Sequence, residues 1–317
     1  PSNDPHKRKN YGVRAVEVLP SNIGYLDLRQ FAGFEFGERE QAARQAVDAG
    51  LQLLSGTNAM IIDLRENGGG APQMVGYLSS AFVKKDSDIF NTFHGRGRTM
   101  SEAPLDWHPQ PRLDTPLFIL ISGRTASAAE AFAYTMQSAR RAIIVGETSM
   151  GAANPGARVD AGNGFNVFVS FASPINPITK TNWEGRGVKP DVAVASATAP
   201  ETARQLALQA VLAGLQGDDA TDARWALDAL QAESHSAPTL HASDYIGNYG
   251  SLVLSEADGH LILKNGRRPI RTLLSLGDDR FAIKEDPSQR VIFVRDANGK
   301  VEALESITSS GGSDRYR

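Results

Sequence analysis

The run Gly123-Arg-Thr-Ala-Ser127-Ala-Ala-Glu130 puts a hydroxyl where a buried apolar segment, Leu117–Ile121, gives way to an alanine-rich helical one. A serine at a helix start has an ordinary use, capping unpaired N–H groups of the first turn. Folds built on parallel sheets use the same place differently. There the strand's carboxyl end presents a nucleophile, and the next amide, here that of Ala128, faces the oxygen on which charge develops. Ala126, Ala128 and Ala129 leave open space around the hydroxyl. The pattern is not GxSxG, which disfavours an ordinary α/β-hydrolase. A second run, Asp63-Leu-Arg-Glu-Asn67-Gly-Gly-Gly70, also joins a strand to a helix. Glycines at such a junction allow close backbone approach and can aim N–H groups at an anion. A phosphate cradle, one arm of an oxyanion hole and a plain glycine turn all fit this run. The spacing is not GxxxxGK[ST], however, and Lys84 and Lys85 lie beyond the next helix.

A third run, Thr181-Asn-Trp-Glu184-Gly-Arg-Gly187-Val-Lys-Pro190-Asp191, offers a carboxylate before a Gly-x-Gly turn. Glu184 there is solvated or paired with Arg186. A serine nucleophile needs a base. His6, His94, His108, His235, His241 and His260 stand in no motif that demands one, and no pair of them has metal-ligand spacing. The chain has no cysteine, so disulfides, thiolate metal sites and a cysteine nucleophile are excluded together. No cofactor and no metal is expected.

The elements that must position these residues follow from periodicity. Tyr11–Leu19 and Ile23–Leu28 read as a strand pair around a Pro-Ser-Asn turn, and Glu38–Leu54 as a helix. Ala59–Leu64, Leu117–Ile121 and Ala142–Val145 are short continuous apolar runs, the mark of parallel strands covered on both faces. Pro72–Val83 and Ser127–Arg141 are the helices between them, and residues 84–115 form a long polar excursion. Gly164–Phe171 alternates as a half-exposed strand, Val188–Val194 is a last short one, and Ala199–Leu215 and Ala220–Ala232 are helical. From about Pro238 the helical period disappears, and short alternating runs are punctuated by Asp258-Gly259, Asn265-Gly266 and Asn298-Gly299. The expected organisation is a lead-in and first strand over 1–22, an α/β core over 23–234 with a mostly parallel sheet, and a small antiparallel β-rich domain over 238–317.

The chain holds 33 Lys and Arg against 36 Asp and Glu, a net charge of −3, and no basic block. Nucleic acid, which calls for a concentrated positive face, is therefore not an expected partner. Apolar runs are also far shorter than the roughly 20 residues of a membrane helix.

Taken together, the three motifs resemble those of the tail-specific (C-terminal processing) serine peptidases, in particular the branch of interphotoreceptor retinoid-binding protein and its bacterial relatives. The resemblance runs from about Gly24 to Asp191. It implies a crotonase-like α/β core, Ser127 as nucleophile, and an oxyanion hole made by the amides of Gly69 and Ala128. The Ser–Lys dyad of part of the family is absent, because Ala152 stands at the lysine position of Thr148-Ser-Met-Gly-Ala152. The other family scheme, Ser–His–Glu, maps its acid onto Glu184. Its histidine has no counterpart here, and Asp27 stands where tricorn-like members can place one. The resemblance thus implies a base upstream of Pro1, a peptide or protein substrate, and a periplasmic or extracellular location. The alternative it allows is a catalytically silent carrier of retinoid- or fatty-acid-like ligands.

Overall fold

The computed structural model describes residues 5–38, 41–234 and 242–317. The chain divides into two compact units, residues 1–207 and 208–317.

The first unit carries α1 (Pro5–Arg8), β1 (Val13–Leu19), β2 (Ile23–Leu28), α2 (Ala42–Leu53), β3 (Ala59–Asp63), α3 (Pro72–Ser80), β4 (Thr92–Gly95) and β5 (Arg98–Ser101). There follow β6 (Leu117–Ile121), α4 (Ala128–Ser138), β7 (Ile143–Gly146), β8 (Gly156–Gly162), β9 (Phe165–Ser170), β10 (Ala172–Ile175), β11 (Val192–Ala193) and the first part of α5 (Ala199–Leu212). A six-stranded sheet runs β1-β2-β3-β6-β7-β11. Only the β1–β2 pair is antiparallel; the other neighbours are parallel. β3 and β6 are buried at every position, as central strands of a parallel sheet must be. Leu26, Ile62 and Ile119 of this sheet share one apolar core with Leu78, Phe132 and Met136 of the helices and with Leu64 and Phe82 just beyond β3 and α3.

Three expectations need correcting. The helix expected from Glu38 begins at Ala42, with residues 39–40 outside the described set. The excursion over 84–115 is not all loop, since β4 and β5 form a three-stranded sheet with β10. The strand expected to be half-exposed, β9, is exposed along its whole length. It pairs with β8 alone, in a two-stranded ribbon whose Phe165 is 72% exposed.

The second unit holds α6 (Gly217–Ser234), β12 (Gly247–Tyr249), β13 (Leu252–Ala257), β14 (His260–Asn265), β15 (Arg271–Gly277), β16 (Arg280–Ile283), β17 (Gln289–Arg295), β18 (Val301–Thr308) and β19 (Ser313–Tyr316). The strands form one antiparallel meander in sequence order. Gly250 donates to the carbonyl of Arg317, so the ends of the meander meet. Its core is a cluster of Tyr245, Tyr249, Phe281 and Phe293 among Leu254, Leu261, Leu273 and Leu304. Ala229 of α6 packs with Leu274 and Ala282 of the meander, and Arg290 pairs with Asp228 while stacking on Trp225. The helix therefore belongs to the β unit. The division between the two units falls within α5, between Ala207 and Leu208.

Candidate active site

The two strand-to-helix turns are bound to each other. After β6, Ser122 donates from Oγ to the Arg65 carbonyl (2.5 Å), Thr125 donates from Oγ1 to the Leu64 carbonyl (2.8 Å), and Ala126 donates from its N–H to the Asn67 carbonyl (3.1 Å). Small hydroxyls and alanines permit this contact, and it delivers Ser127, exposed, at the head of α4. The serine has φ 55° and ψ −121°. An ordinary N-cap is extended, and an L-residue held outside the populated backbone regions costs about 1–3 kcal/mol. The turn is therefore a strained strand-to-helix elbow, although its sequence lacks the GxSxG pattern.

Asn67, fully buried, fixes the glycine turn: its Nδ2 donates to the Leu28 carbonyl at 2.8 Å. Gly70 bridges to Phe31, where a Cβ would meet the Phe31 carbonyl oxygen at 2.0 Å. Gly69, at φ 107°, lies directly against Ser127. Of the two amides expected to form an oxyanion hole, that of Ala128 opens the first turn of α4, where helix N–H groups lack intrahelical partners. That of Gly69 is engaged: its N–H donates to Asn67 Oδ1 at 2.9 Å.

Two glutamates grip one loop from opposite sides. Glu130, buried, accepts four hydrogen bonds. Oε2 takes the N–H groups of Ser127 (2.8 Å) and Ala152 (2.8 Å), and Oε1 takes Ser149 Oγ (2.5 Å) and the Gly151 N–H (2.6 Å). Glu184, exposed, accepts the N–H groups of Ala153 (2.7 Å) and Asn154 (2.9 Å), both on Oε2. Gly185 adds a backbone bond to the Gly151 carbonyl, and Met150 one to Thr125. Ser127 and Glu184 are thus joined through residues 149–154, the segment that holds Ala152. The role of Glu130 escapes a reading of motifs alone, yet Ser127-x-x-Glu130 has capping-box spacing, and that signal could have found it.

Asp27 and Asp63 stand side by side in the β2–β3 register. Asp27 is held bidentately by Arg29 at 2.6 and 2.7 Å. Asp63 binds Arg65 and accepts from Tyr25 Oη at 2.6 Å. Burial pushes the Asp63 carboxyl up, but the Arg65 and Tyr25 hydrogen bonds outweigh it and hold the group below its usual range. Burial and the bond to Asp63 push the Tyr25 phenol upward. Neither aspartate is placed as a base. His94 lies on β4, and His108 sits against Tyr77 with its pKa pulled down by burial. Among the described residues, no hydrogen bond of His94, His108 or His260 reaches Ser127 or Glu184. His235 and His241 lie outside the described residues. Among the described residues no group of three or more His, Asp or Glu side chains is placed to hold a metal ion, and no helix is long and apolar enough to cross a membrane.

A sequence model of peptidase family S41 matches residues 22–194. The chain is 26% identical over 230 residues to the carboxy-terminal processing protease CtpA of Bacillus subtilis, covering 71% of this chain and 46% of that one. It is 30% identical over 188 residues to the carboxy-terminal-processing protease of Bartonella bacilliformis, covering 57% and 41%. Over 93 residues it is 38% identical to the tail-specific protease of Haemophilus influenzae, covering 29% and 13%. The chain thus spans less than half the length of these relatives. Among solved structures, the photosystem II D1 C-terminal processing protease aligns with a TM-score of 0.43 at 24% identity, over 55% of this chain and 42% of that one.

Proposed function

The chain belongs to peptidase family S41, and we propose that it is the core of a serine endopeptidase acting through an acyl-enzyme on Ser127. The observation that carries this reading is the strained backbone of Ser127, φ 55° and ψ −121°, at an exposed residue packed against a glycine turn. Strain of this kind persists where surrounding structure over-determines it, and it concentrates at reactive residues. In the proposed reaction Ser127 Oγ attacks the peptide carbonyl while a base takes its proton. The Ala128 N–H stabilises the oxyanion, and protonation of the amine leaving group releases the first product. Water then hydrolyses the acyl ester. Gly69 joins as second donor by exchanging Asn67 Oδ1 for the oxyanion, giving up a hydrogen bond of about 1 kcal/mol for one made to a charge.

Glu184 fits the orienting acid. Both of its loop bonds fall on Oε2, and a carboxylate has about four acceptor sites, so Oε1 remains to take the N–H of an imidazole. We assign that base to a histidine upstream of Pro1, in the Ser–His–Glu scheme on a crotonase-like core. The reading includes a peptide or protein substrate and a periplasmic or extracellular location, which cell fractionation would check. The carrier alternative gains no support from the cleft beside the glycine turn, whose lining includes Arg8, Lys9, Arg14 and Arg29 rather than apolar walls alone.

The test is fluorophosphonate labelling of this chain beside a version extended upstream of Pro1, with the adduct mapped by mass spectrometry. An adduct on Ser127 in the extended form alone supports both nucleophile and upstream base. An adduct in this chain as well would place the base within it. No adduct in either form would leave Ser127 a strained helix cap and sink the reading.

A further inference from the structure

A cleft of about 800 Å³ opens beside the glycine turn, with Gly68, Gly69 and Gly70 along one side. Its other walls are residues 8–10 and 12–14, residues 29–30, and Glu66. These strips are fastened in order: Arg29 donates its N–H to the Gly12 carbonyl at 2.7 Å, and Phe31 donates to the Gly69 carbonyl at 2.9 Å. Gly12 must be glycine for that seam to close, since a Cβ there would lie 2.3 Å from the Gln30 carbonyl oxygen. The cleft is thus a built feature of the first unit.

Its charge runs against that of the whole chain, which is −3. The lining holds four basic side chains, Arg8, Lys9, Arg14 and Arg29, and one acid, Glu66. Arg29 is compensated by Asp27, and Glu66 is paired with Arg124. The other three cations, all exposed, have no ion pair or side-chain hydrogen bond among the described residues. Like charges gathered in a concave site focus the field and attract counter-charge.

Position gives this field a purpose. Gly69 lines the cleft and also packs on Ser127. A peptide whose carbonyl sits on Ser127 and Gly69 therefore continues over the glycine turn. At ~3.3 Å per extended residue, its next few side chains enter the cleft. On the proposed peptidase reading, we propose that this cleft is a carboxylate subsite: Arg8, Lys9 and Arg14 select peptides bearing acidic groups within a few residues of the bond presented to Ser127. A carboxylate reaches the cleft from Asp or Glu side chains or from a free chain terminus.

Binding measured without turnover separates this proposal from the peptidase reading itself. The Ser127→Ala chain is titrated, by fluorescence anisotropy, into three labelled decapeptides of one neutral frame. One has a Glu-Asp pair and an amidated terminus, one has Gln-Asn in its place and is also amidated, and one has Gln-Asn with a free terminal carboxylate. The acidic peptide should bind about tenfold more tightly than its Gln-Asn amide at low salt, the sum of two or three exposed ion pairs. The preference should shrink as ionic strength rises. A preference for the free terminus alone would assign the subsite to chain ends. The double substitution Lys9→Glu with Arg14→Glu, at exposed positions and checked for unchanged circular dichroism, should abolish or reverse either preference. Equal binding of all three peptides, including none up to about 1 mM, overturns the proposal, as does a preference that survives the double substitution. Absence of Ser127 labelling would count against the peptidase reading and leave this result standing.

Discussion

Gly69 and Ser127 touch so closely that a Cβ on Gly69 would lie 2.7 Å from the Ser127 Cβ and 3.0 Å from the Ala128 nitrogen. The turn after β3 and the turn after β6 are therefore one site, closed at a position where only glycine fits. Gly69→Ala would add this clash to a residue already at φ 107°. It is expected to destabilise the chain by about 1–3 kcal/mol. Fluorophosphonate labelling of Ser127 in the labelling-competent form should fall by more than about tenfold. Urea titration and labelling rates check the two effects separately, and normal labelling with normal stability would contradict the contact.

Ser127 stores strain that glycine would release. At φ 55° and ψ −121° the strain of about 1–3 kcal/mol exceeds the roughly 0.5–1 kcal/mol of extra chain entropy that a glycine loses on folding. Ser127→Gly should therefore raise stability by about 1 kcal/mol while abolishing labelling and hydrolysis, an exchange of function for stability. Ser127→Ala should abolish labelling without the gain, since alanine suffers the same backbone. If denaturant midpoints of the two variants coincide, the elbow is not strained.

Glu130 and Glu184 carry the same functional group toward the same loop and should respond oppositely to Gln. Every oxygen of Glu130 is occupied by donors, so an amide NH₂ there would face at least one backbone N–H that cannot accept from it, whichever way the amide is turned. Glu130→Gln is expected to cost about 2–4 kcal/mol and to disturb the Ser127 turn. Glu184 uses only Oε2, a bond set that a Gln carbonyl reproduces. Glu184→Gln should then melt within a few degrees of the parent. In the labelling-competent form it should lose at least about 100-fold in kcat, because in the proposed Ser–His–Glu scheme the imidazolium formed during attack would have lost its carboxylate. Thermal melts alongside kcat and KM for a peptide substrate decide it.

What the sequence made legible was local. The buried runs at 59–63 and 117–121, the two turns that follow them, and the meander after 246 all rest on short-range pattern, and all are present. What it withheld was tertiary. Alternation along 164–171 predicts a face against a core, but β9 meets only β8, and both faces stay wet. The alanines of α6 promise a packed face without saying which sheet receives it. The direction of the Gly69 N–H depends on a buried Asn67 side chain, which no spacing rule reports. Glu130 is saturated by a loop that lies about twenty residues further along the chain.

A last buried acid lies under the helix that carries Ser127. Glu102, 3% exposed, accepts from Asn91 Nδ2 at 2.7 Å, and Asn91 also reaches Thr135 of α4 at 3.1 Å. The other carboxyl oxygen, Oε1, is buried without a partner. Burial pushes this carboxyl up to about 8 from its usual 4.5, against the smaller opposing pull of Asn91. Between those values the unfolded chain has released a proton that the folded chain retains, so stability falls as pH rises through the window and levels off above about 8. Glu102→Gln keeps an acceptor for Asn91 and cannot ionise, so it should flatten that slope. The variant should match the parent near pH 4.5 and become progressively more stable than it up to about pH 8, with a constant gap beyond. Melting temperatures across this range test it. Parallel profiles for parent and variant would mean that Glu102 is ionised in the folded chain, and that the Asn91–Thr135 network carries a buried charge beneath α4.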